Sequence, residues 1–212
     1  MDDVRQELLM AFAAGRLAEP VTLAIATHVA LNPKAHAVVR AYEELGGRFL
    51  EELEPEPLPP GSLDAVMALL DTPPVTPRPR TGIQQDPSIP PVLARYLPAP
   101  IDQLPWKRLG PVAEYPLLKE VAGYKTQLLR IQAGRKVPQH THDGNELTVV
   151  LRGAYGDGIG HYARGDLSVA DGSINHQPKA DEGEECLCLA VTDARLRLTG
   201  TLGRLLNPFI RF

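Results

Sequence analysis

The sequence has little of what marks secreted or membrane-spanning proteins. Only two of its 212 residues are cysteines, Cys186 and Cys188, too few for the disulfide framework of a small secreted domain. No stretch approaches the roughly 18 consecutive apolar residues that a membrane span needs. The start, Met1-Asp2-Asp3, lacks the basic and apolar regions of a secretory signal. We therefore expect a cytoplasmic protein without a membrane partner.

Positive charge is also scarce. The chain has 22 Lys and Arg against 26 Asp and Glu, a net charge of −4, whereas nucleic-acid-binding domains normally carry a basic footprint. The sequence thus argues against direct nucleic-acid contact. Residues 1–56 hold ten acidic and five basic side chains. An acidic N-terminal part suits a basic protein partner, although a solvated helical surface explains it almost as well.

Residues 1–72 predict a small helical bundle. Strong helix formers fill 4–14, and proline suits the first turn of a second helix at Pro20 and a third over 33–52. A short fourth helix begins at Ser62, with apolar residues at i, i+3, i+4 and i+7: Leu63, Val66, Met67 and Leu70. This stripe either packs on the first three helices or forms a partner surface.

The second half of the chain has a different pattern. The Pro-rich segment 73–91 predicts an extended linker between the helical domain, 1–72, and a second domain, 92–212. Short strands separated by Gly and Pro turns predict an all-β architecture there. We expect strands near Pro116–Val121, Tyr124–Ile131, Leu147–Arg152, Leu167–Val169, Cys186–Thr192 and Arg195–Thr199.

A metal site is predicted between Gly134 and Gly153. His140 and His142 point to the same face of a strand because side chains alternate with period two. The turn at 143–145 can bring the Glu146 carboxylate back toward the two imidazoles. Two imidazoles and a carboxylate suit Zn, Fe, Mn, Ni or Cu. His176, which follows two further turns, is a candidate fourth ligand.

These two blocks resemble the two consensus motifs of the cupin superfamily. Every position of the first motif is matched between Gly134 and Gly153, whereas in the second Gly165 and His176 match, but Asp171 replaces its usual proline and Ser173 its usual glycine. The resemblance implies an α+β multidomain protein in which a cupin β-barrel, or double-stranded β-helix, follows the helical bundle. It also implies that His140, His142, Glu146 and His176 converge on one divalent metal, with zinc the first expectation and Mn, Fe or Ni the alternatives.

Cys186 and Cys188 lie two apart in an apolar run and face the same side of a predicted strand. A disulfide between them would need strained geometry. Small buried hydrophobes are one interpretation, and a redox or auxiliary metal role near the barrel is the other.

The whole chain resembles the ChrR family of zinc-binding anti-sigma factors. The resemblance rests on the domain order and on short segments: Ala13-Ala14-Gly15, Thr27-His28, Glu146–Leu151, Cys186–Leu189, Thr192-Asp193 and Pro208-Phe209. It implies that the helical domain binds an extracytoplasmic-function (ECF) sigma factor and keeps it from RNA polymerase. It also implies that the cupin domain is needed for release when singlet oxygen or organic peroxides appear.

The chain departs from the family at the N-terminal zinc site. Of the family's ligands only His28 is kept, because the two cysteine positions are Asn32 and Ala35 and the early histidine position falls near Asp3. An imidazole, an amide and a methyl group cannot form a tetrahedral zinc site, and the spacing of His36 is not the family's. We therefore predict that the helical domain has lost this zinc.

Three functions fit these observations. The first is an anti-sigma factor whose acidic helices and Leu63–Leu70 stripe mask a sigma factor. The second is a metal-dependent cupin enzyme of dioxygenase type with a helical dimerisation arm. Asp157, His161 and Asp181 are acid–base candidates for it by proximity in sequence alone, and a surface position on the Gly158–Tyr162 turn is the preferred interpretation for His161. The third is a metal- or ligand-binding module. Self-association of the acidic helices is open in all three, and the regulatory function is preferred to an enzymatic one.

Overall fold

The computed structural model describes residues 2–70 and 86–199. Most of the predicted linker, 73–85, and the end of the predicted second domain, 200–212, lie outside the described residues.

The N-terminal part contains the four expected helices. They are α1 Asp2–Ala13, α2 Glu19–Leu31, α3 Pro33–Glu51 and α4 Ser62–Leu70. Local chemistry sets the boundaries: Gly15 takes a positive φ of 65° just after α1, where a residue with a side chain would be strained. Asn32 caps the N-terminus of α3, because its side-chain oxygen accepts hydrogen bonds from the backbone N–H groups of Lys34 and Ala35. A short helix α5, Pro91–Ala94, and a 3-10 helix, Ile101–Gln103, precede the strands.

Eleven strands are described in the second part of the chain. They are β1 Lys107–Leu109, β2 Val112–Val121, β3 Tyr124–Ile131, β4 His140–His142, β5 Glu146–Arg152, β6 Ala154–Gly156, β7 His161–Ala163, β8 Leu167–Ala170, β9 Lys179–Ala180, β10 Cys186–Thr192 and β11 Leu196–Leu198. The six predicted strands correspond to β2, β3, β5, β8, β10 and β11.

The strands form a cupin-like β-sandwich. One layer is a six-stranded sheet in the order β1-β2-β3-β10-β5-β8, and two smaller sheets, β7-β6-β9 and β11-β4, make the other. Val150 and Cys188 of the large sheet share an apolar cluster with Tyr155, Tyr162 and Ala180 of the other layer. Among the described residues the strand pairings do not close into a continuous barrel, so the expected cupin barrel takes the form of a sandwich.

Strands β5 and β10 are buried on both faces. Their inward residues face the second layer of the sandwich, while Val149, Leu151 and Leu189 on the other face belong to a core shared with the helices. Helix α2 packs against both strands. The burial of β5 therefore does not alternate along the strand, because helices cover the face that would otherwise meet solvent.

Helix α2 is the central element of this shared core. It is apolar around its whole circumference, and Leu23, Ala24 and Ile25 are each at most 2% exposed. A helix that is hydrophobic all round must be covered on all sides. The helices α1 and α3 cover one side of α2 and the six-stranded sheet covers the other, so the helices and the sandwich are packed together.

The last residues of the predicted linker are packed as well. Ile89 is 5% exposed, and Asp86 accepts a hydrogen bond from Arg152 at 2.9 Å. The expectation of an extended segment fails for 86–91, because these residues close over the end of β5. Among the described residues, Asp86 and Ile89 are thus packed although they precede residue 92, where the second domain is expected to start.

Candidate metal centre

The structure brings the four predicted metal ligands together. His140 and His142 lie at the two ends of β4, Glu146 begins β5, and His176 lies beside His140 through a pair of backbone hydrogen bonds. Ligand atoms of the four residues all lie within 4.8 Å of one another. The three imidazoles are buried, and the Glu146 side chain is 13% exposed. The cluster thus has the size and the donors of a single-ion site.

Two of the imidazoles are oriented by acceptors behind them. His140 Nδ1 donates to the Pro138 carbonyl at 2.7 Å, and His176 Nδ1 lies 3.1 Å from Asp157 Oδ2, where both side chains are buried. A ring whose Nδ1 carries the proton presents the lone pair of Nε2 to the centre of the cluster. Such backing acceptors are the usual arrangement around metal-bound histidine.

The buried ring nitrogens fit a cation. His140 Nε2 and His176 Nε2 are 3.0 Å apart, and in the tautomers set by Pro138 and Asp157 both carry lone pairs that repel each other. His142 Nε2 lies 3.3 Å from Glu146 but has no hydrogen-bond partner. A metal ion accepts all of these lone pairs at once, so the residues present fit a metal with three nitrogen donors and one oxygen donor.

The protonation states also suit metal binding. Burial lowers the pKa of His140 to about 4, so its imidazole is neutral at neutral pH. Burial pushes the pKa of Glu146 upward, but the neighbouring His142 and the other two histidines outweigh it and lower that pKa overall. A neutral imidazole and an ionised carboxylate are the forms that bind metal.

The departures from the second cupin motif have a local explanation. Asp171 Oδ1 accepts hydrogen bonds from the backbone N–H and the hydroxyl of Ser173, and these bonds lower the pKa of Asp171. The aspartate and the serine thereby stabilise the turn that the motif otherwise forms with proline and glycine. The turn still delivers His176 to the site.

The three acid–base candidates separate into two groups. Asp157 contacts His176, one of the candidate ligands. His161 and Asp181 instead pair with each other at 2.8 Å on the surface, with side chains 59% and 49% exposed. The role of Asp157 behind His176 was missed from the sequence. Its only signal is a turn residue between Gly156 and Gly158, which does not reveal the histidine beside it.

Both cysteines are buried between the layers of the sandwich. Their sulfur atoms are 3.5 Å apart, and Cys188 lines a cavity that also contains the four candidate ligands. The hydrogen bond with Cys186 and then burial raise the pKa of Cys188 well above its usual value. A thiol with a raised pKa is a weak nucleophile, although its position faces the cavity.

The cavity, here called the metal cavity, has a volume of about 410 Å³. Its walls combine the candidate ligands with apolar and charged side chains: Leu109, Val112, Leu129, Ile131, Val137, Leu196 and Leu198 are apolar, and Lys107, Glu114, Lys125 and Arg195 are charged. Cavities of this size hold small molecules.

The predicted stripe on α4 lies on the surface. Leu63, Val66, Met67 and Leu70 are 53–73% exposed, and α4 has no buried residue. Packing on the first three helices, one of the two alternatives for this stripe, is therefore not what the structure shows. The end of α3 adds further exposed apolar side chains, among them Phe49, which is 60% exposed and was missed from the sequence.

The remnant of the N-terminal zinc motif makes other contacts. His28 Nδ1 donates to the Gly165 carbonyl at 2.7 Å, linking α2 to the turn before β8. Asn32 caps the N-terminus of α3, and Ala35 is buried in the helical core. Among the described residues, the group that could hold a metal is the one in the sandwich.

The fold and the donor set define a cupin-type domain with a candidate metal site, preceded by packed helices. No helix within residues 2–70 and 86–199 is long and apolar enough to span a bilayer. The family model of the ChrR cupin-like domain matches residues 97–194. Over 208 residues the chain is 39% identical to the anti-sigma-E factor ChrR of Cereibacter sphaeroides, covering 98% of this chain and 97% of that protein. The chain belongs to the ChrR family.

A solved structure extends this similarity to three dimensions. The structure of Rhodobacter sphaeroides SigE in complex with the anti-sigma ChrR contains a chain with 37% sequence identity and a TM-score of 0.75. The match covers 89% of this chain and 96% of that chain, so it includes helices as well as the sandwich.

Proposed function

We propose that this protein is an anti-sigma factor that binds an ECF-type sigma factor through its helices and releases it when an oxidant acts on the cupin domain. The observation that carries the proposal is the 39% identity to the anti-sigma-E factor ChrR along 98% of the chain. The related ChrR has been crystallised with SigE. The proposed partner is thus a protein, and the proposed effect is on transcription.

The proposed binding residues form two exposed apolar strips. One strip has Leu45 and Phe49 near the end of α3 and Leu53 just after it, and the other has Leu63, Val66, Met67 and Leu70 on α4, all 48–73% exposed. Exposed apolar side chains in such numbers mark a protein contact. The exposed carboxylates of Glu51, Glu52 and Glu54 lie beside them in sequence, which favours a partner with an apolar helix face and a basic rim.

The structure supports a route from the metal centre to these helices. One face of β5 carries Glu146 to the metal cavity, and its other face carries Leu147, Val149 and Leu151 into the core with α2. Helix α2 in turn contacts α1 and α3. A change in ligation that displaces β5 therefore alters the packing that positions α3, and coupling of this kind is typically worth about 1–3 kcal/mol.

We propose zinc as the metal, with Mn, Fe or Ni as alternatives, because three imidazoles and one carboxylate suit all four ions. The oxidant acts either at the metal centre or at Cys188, and both line the metal cavity. The raised pKa of Cys188 slows thiol oxidation, which favours the metal centre as the first target.

Replacing both Leu63 and Met67 with aspartate tests the sigma-binding surface. Charges placed at two apolar contact positions should weaken binding of an ECF sigma factor by at least about 100-fold, since central contacts are commonly worth about 2 kcal/mol each. Binding is measured with the purified full-length proteins. The matched control is Ile159→Asp, because Ile159 is 44% exposed but lies on the sandwich.

Unchanged sigma binding by the double variant would remove the α4 stripe from the interface. Absence of binding by the wild-type protein to any ECF sigma factor of its own genome would contradict the proposed function itself.

A further inference from the structure

The inner face of the six-stranded sheet lines the metal cavity in ordered rows. Strand register places Lys125 opposite Thr192, and Thr192 opposite Glu146, so these three residues form one polar row. Further along the same face, Leu129 lies opposite Cys188, and Ile131 opposite Cys186. The cavity is therefore polar at the end where the candidate ligands meet and becomes apolar along β3.

The apolar end is extended by neighbouring strands. Val112 of β2 lies opposite Ile131, and Leu109 of β1 lies opposite Val112; all three line the cavity. Val137 contributes from the opposite layer. These side chains make a continuous apolar wall that starts a few residues from the candidate ligands.

The charges around the cavity favour an anion. The charged wall residues are three cations, Lys107, Lys125 and Arg195, and two carboxylates, Glu114 and Glu146. Lys107 pairs with Glu114 at 3.2 Å. Arg195 lies at the metal end, because it precedes the residue paired with His142. A divalent metal bound by a single carboxylate leaves further positive charge there.

We propose that the metal cavity binds a small amphipathic monocarboxylate, such as a medium-chain fatty acid, as an effector of the protein. The carboxylate lies at the metal end near Arg195, and the alkyl chain lies along Leu129, Ile131 and Val112. The inference rests on the metal site of the proposed function and adds the chemical class of a ligand to it. A volume of about 410 Å³ is within the range of small-molecule sites.

The test is calorimetric titration of the metal-loaded, full-length protein with acetate, hexanoate and octanoate. We expect octanoate to bind with 1:1 stoichiometry and hexanoate to bind about 15-fold more weakly, because two fewer methylene groups are buried. The neutral analogue 1-octanol should bind at least about tenfold more weakly than octanoate, since it lacks the charge. Equal affinities along the acid series would overturn the proposal.

Two variants locate the ligand. Arg195→Met should weaken octanoate binding about tenfold and leave 1-octanol binding unchanged. Leu129→Trp should fill the apolar end and abolish octanoate binding while acetate binding is kept. Each variant must retain the metal content of the wild type, which shows that the site has folded. If a variant does not fold, two measurements on the wild type still decide the question. One is the chain-length series. The other is removal of the metal by a chelator, which should weaken octanoate binding at least tenfold.

The same preparations separate this inference from the proposed function. Sigma binding with no octanoate binding by metal-loaded protein would overturn the effector site and leave the anti-sigma function intact. Octanoate binding with the predicted chain-length dependence, together with no sigma binding, would support the site and contradict the anti-sigma function.

Discussion

Replacing His28 tests how the helices are held on the sandwich. His28 is 7% exposed, and its Nδ1 donates to the Gly165 carbonyl at 2.7 Å across 137 positions of sequence. The backbone is tightly packed here, since a Cβ added at Gly165 would lie 2.9 Å from the Leu31 carbonyl oxygen. A small shift of α2 towards the turn therefore cannot compensate for the hydrogen bond that is lost with the imidazole.

These contacts determine how much stability the protein loses without the imidazole. His28→Ala leaves the buried carbonyl without this donor, which costs about 1–3 kcal/mol, and removes packed ring atoms, which adds about 1 kcal/mol. We expect the free energy of unfolding to fall by about 2–4 kcal/mol. His28→Asn is the matched control, because an asparagine amide places a donor close to the position of Nδ1. It should lose about half as much stability.

The pH dependence of the free energy of unfolding also reports on this contact. Burial, as the largest cause, lowers the pKa of His28 below its ordinary value of 6.5, so the folded protein keeps the imidazole neutral. The unfolded chain takes up a proton below about pH 6.5, and the stability contributed by neutral His28 is therefore lost as the pH falls from about 6.5 towards the lower folded pKa.

The assay is urea denaturation of full-length, metal-loaded protein between pH 5 and 8. The difference in stability between wild type and His28→Asn should shrink as the pH falls, because asparagine does not titrate. If His28→Ala is as stable as the wild type, or if the stability difference between wild type and His28→Asn does not change with pH, a buried neutral His28 does not join α2 to the sandwich.

Two further predictions concern the metal centre and the helical domain. Asp157→Asn should weaken metal binding about 10- to 100-fold, because the acceptor that orients His176 loses its charge. The control is Asp181→Asn, which changes an exposed ion pair. Equal metal affinities of wild type and Asp157→Asn would rule out the orienting role. Asn32→Ala should lower the free energy of unfolding by about 0.5–2 kcal/mol, measured by denaturation, through loss of the helix cap, whereas Asn32→Ser should be nearly neutral. A loss of metal from the alanine variant would contradict a purely capping role.

Local patterns in the sequence predicted much of the fold. The bounds of α2 and α3 follow from Pro20 and Asn32-Pro33, because these residues act on their immediate neighbours. The candidate ligands were found because the spacing of His140, His142 and Glu146 matches the geometry of a strand and a turn. In both cases the signal lies within a few residues, where chain stiffness limits the alternatives.

The parts that were missed depend on contacts between distant segments. Both faces of β5 are buried because α2, more than 100 positions earlier, covers one of them. The uniform apolarity of α2 indicates that other elements cover the helix on all sides, but it does not reveal which elements these are. Asp157 reaches His176 only because β6 pairs with β9, and a two-residue strand such as β9 has no periodicity to detect.

Elemental analysis of the purified full-length protein beside its His140→Ala variant tests whether the proposed site in the sandwich binds a metal. We expect about one metal ion per chain in the wild type and none in the variant, because His140 is one of the four candidate ligands. Two ions per chain, or one ion that survives the loss of His140, would mean that metal is bound outside this site.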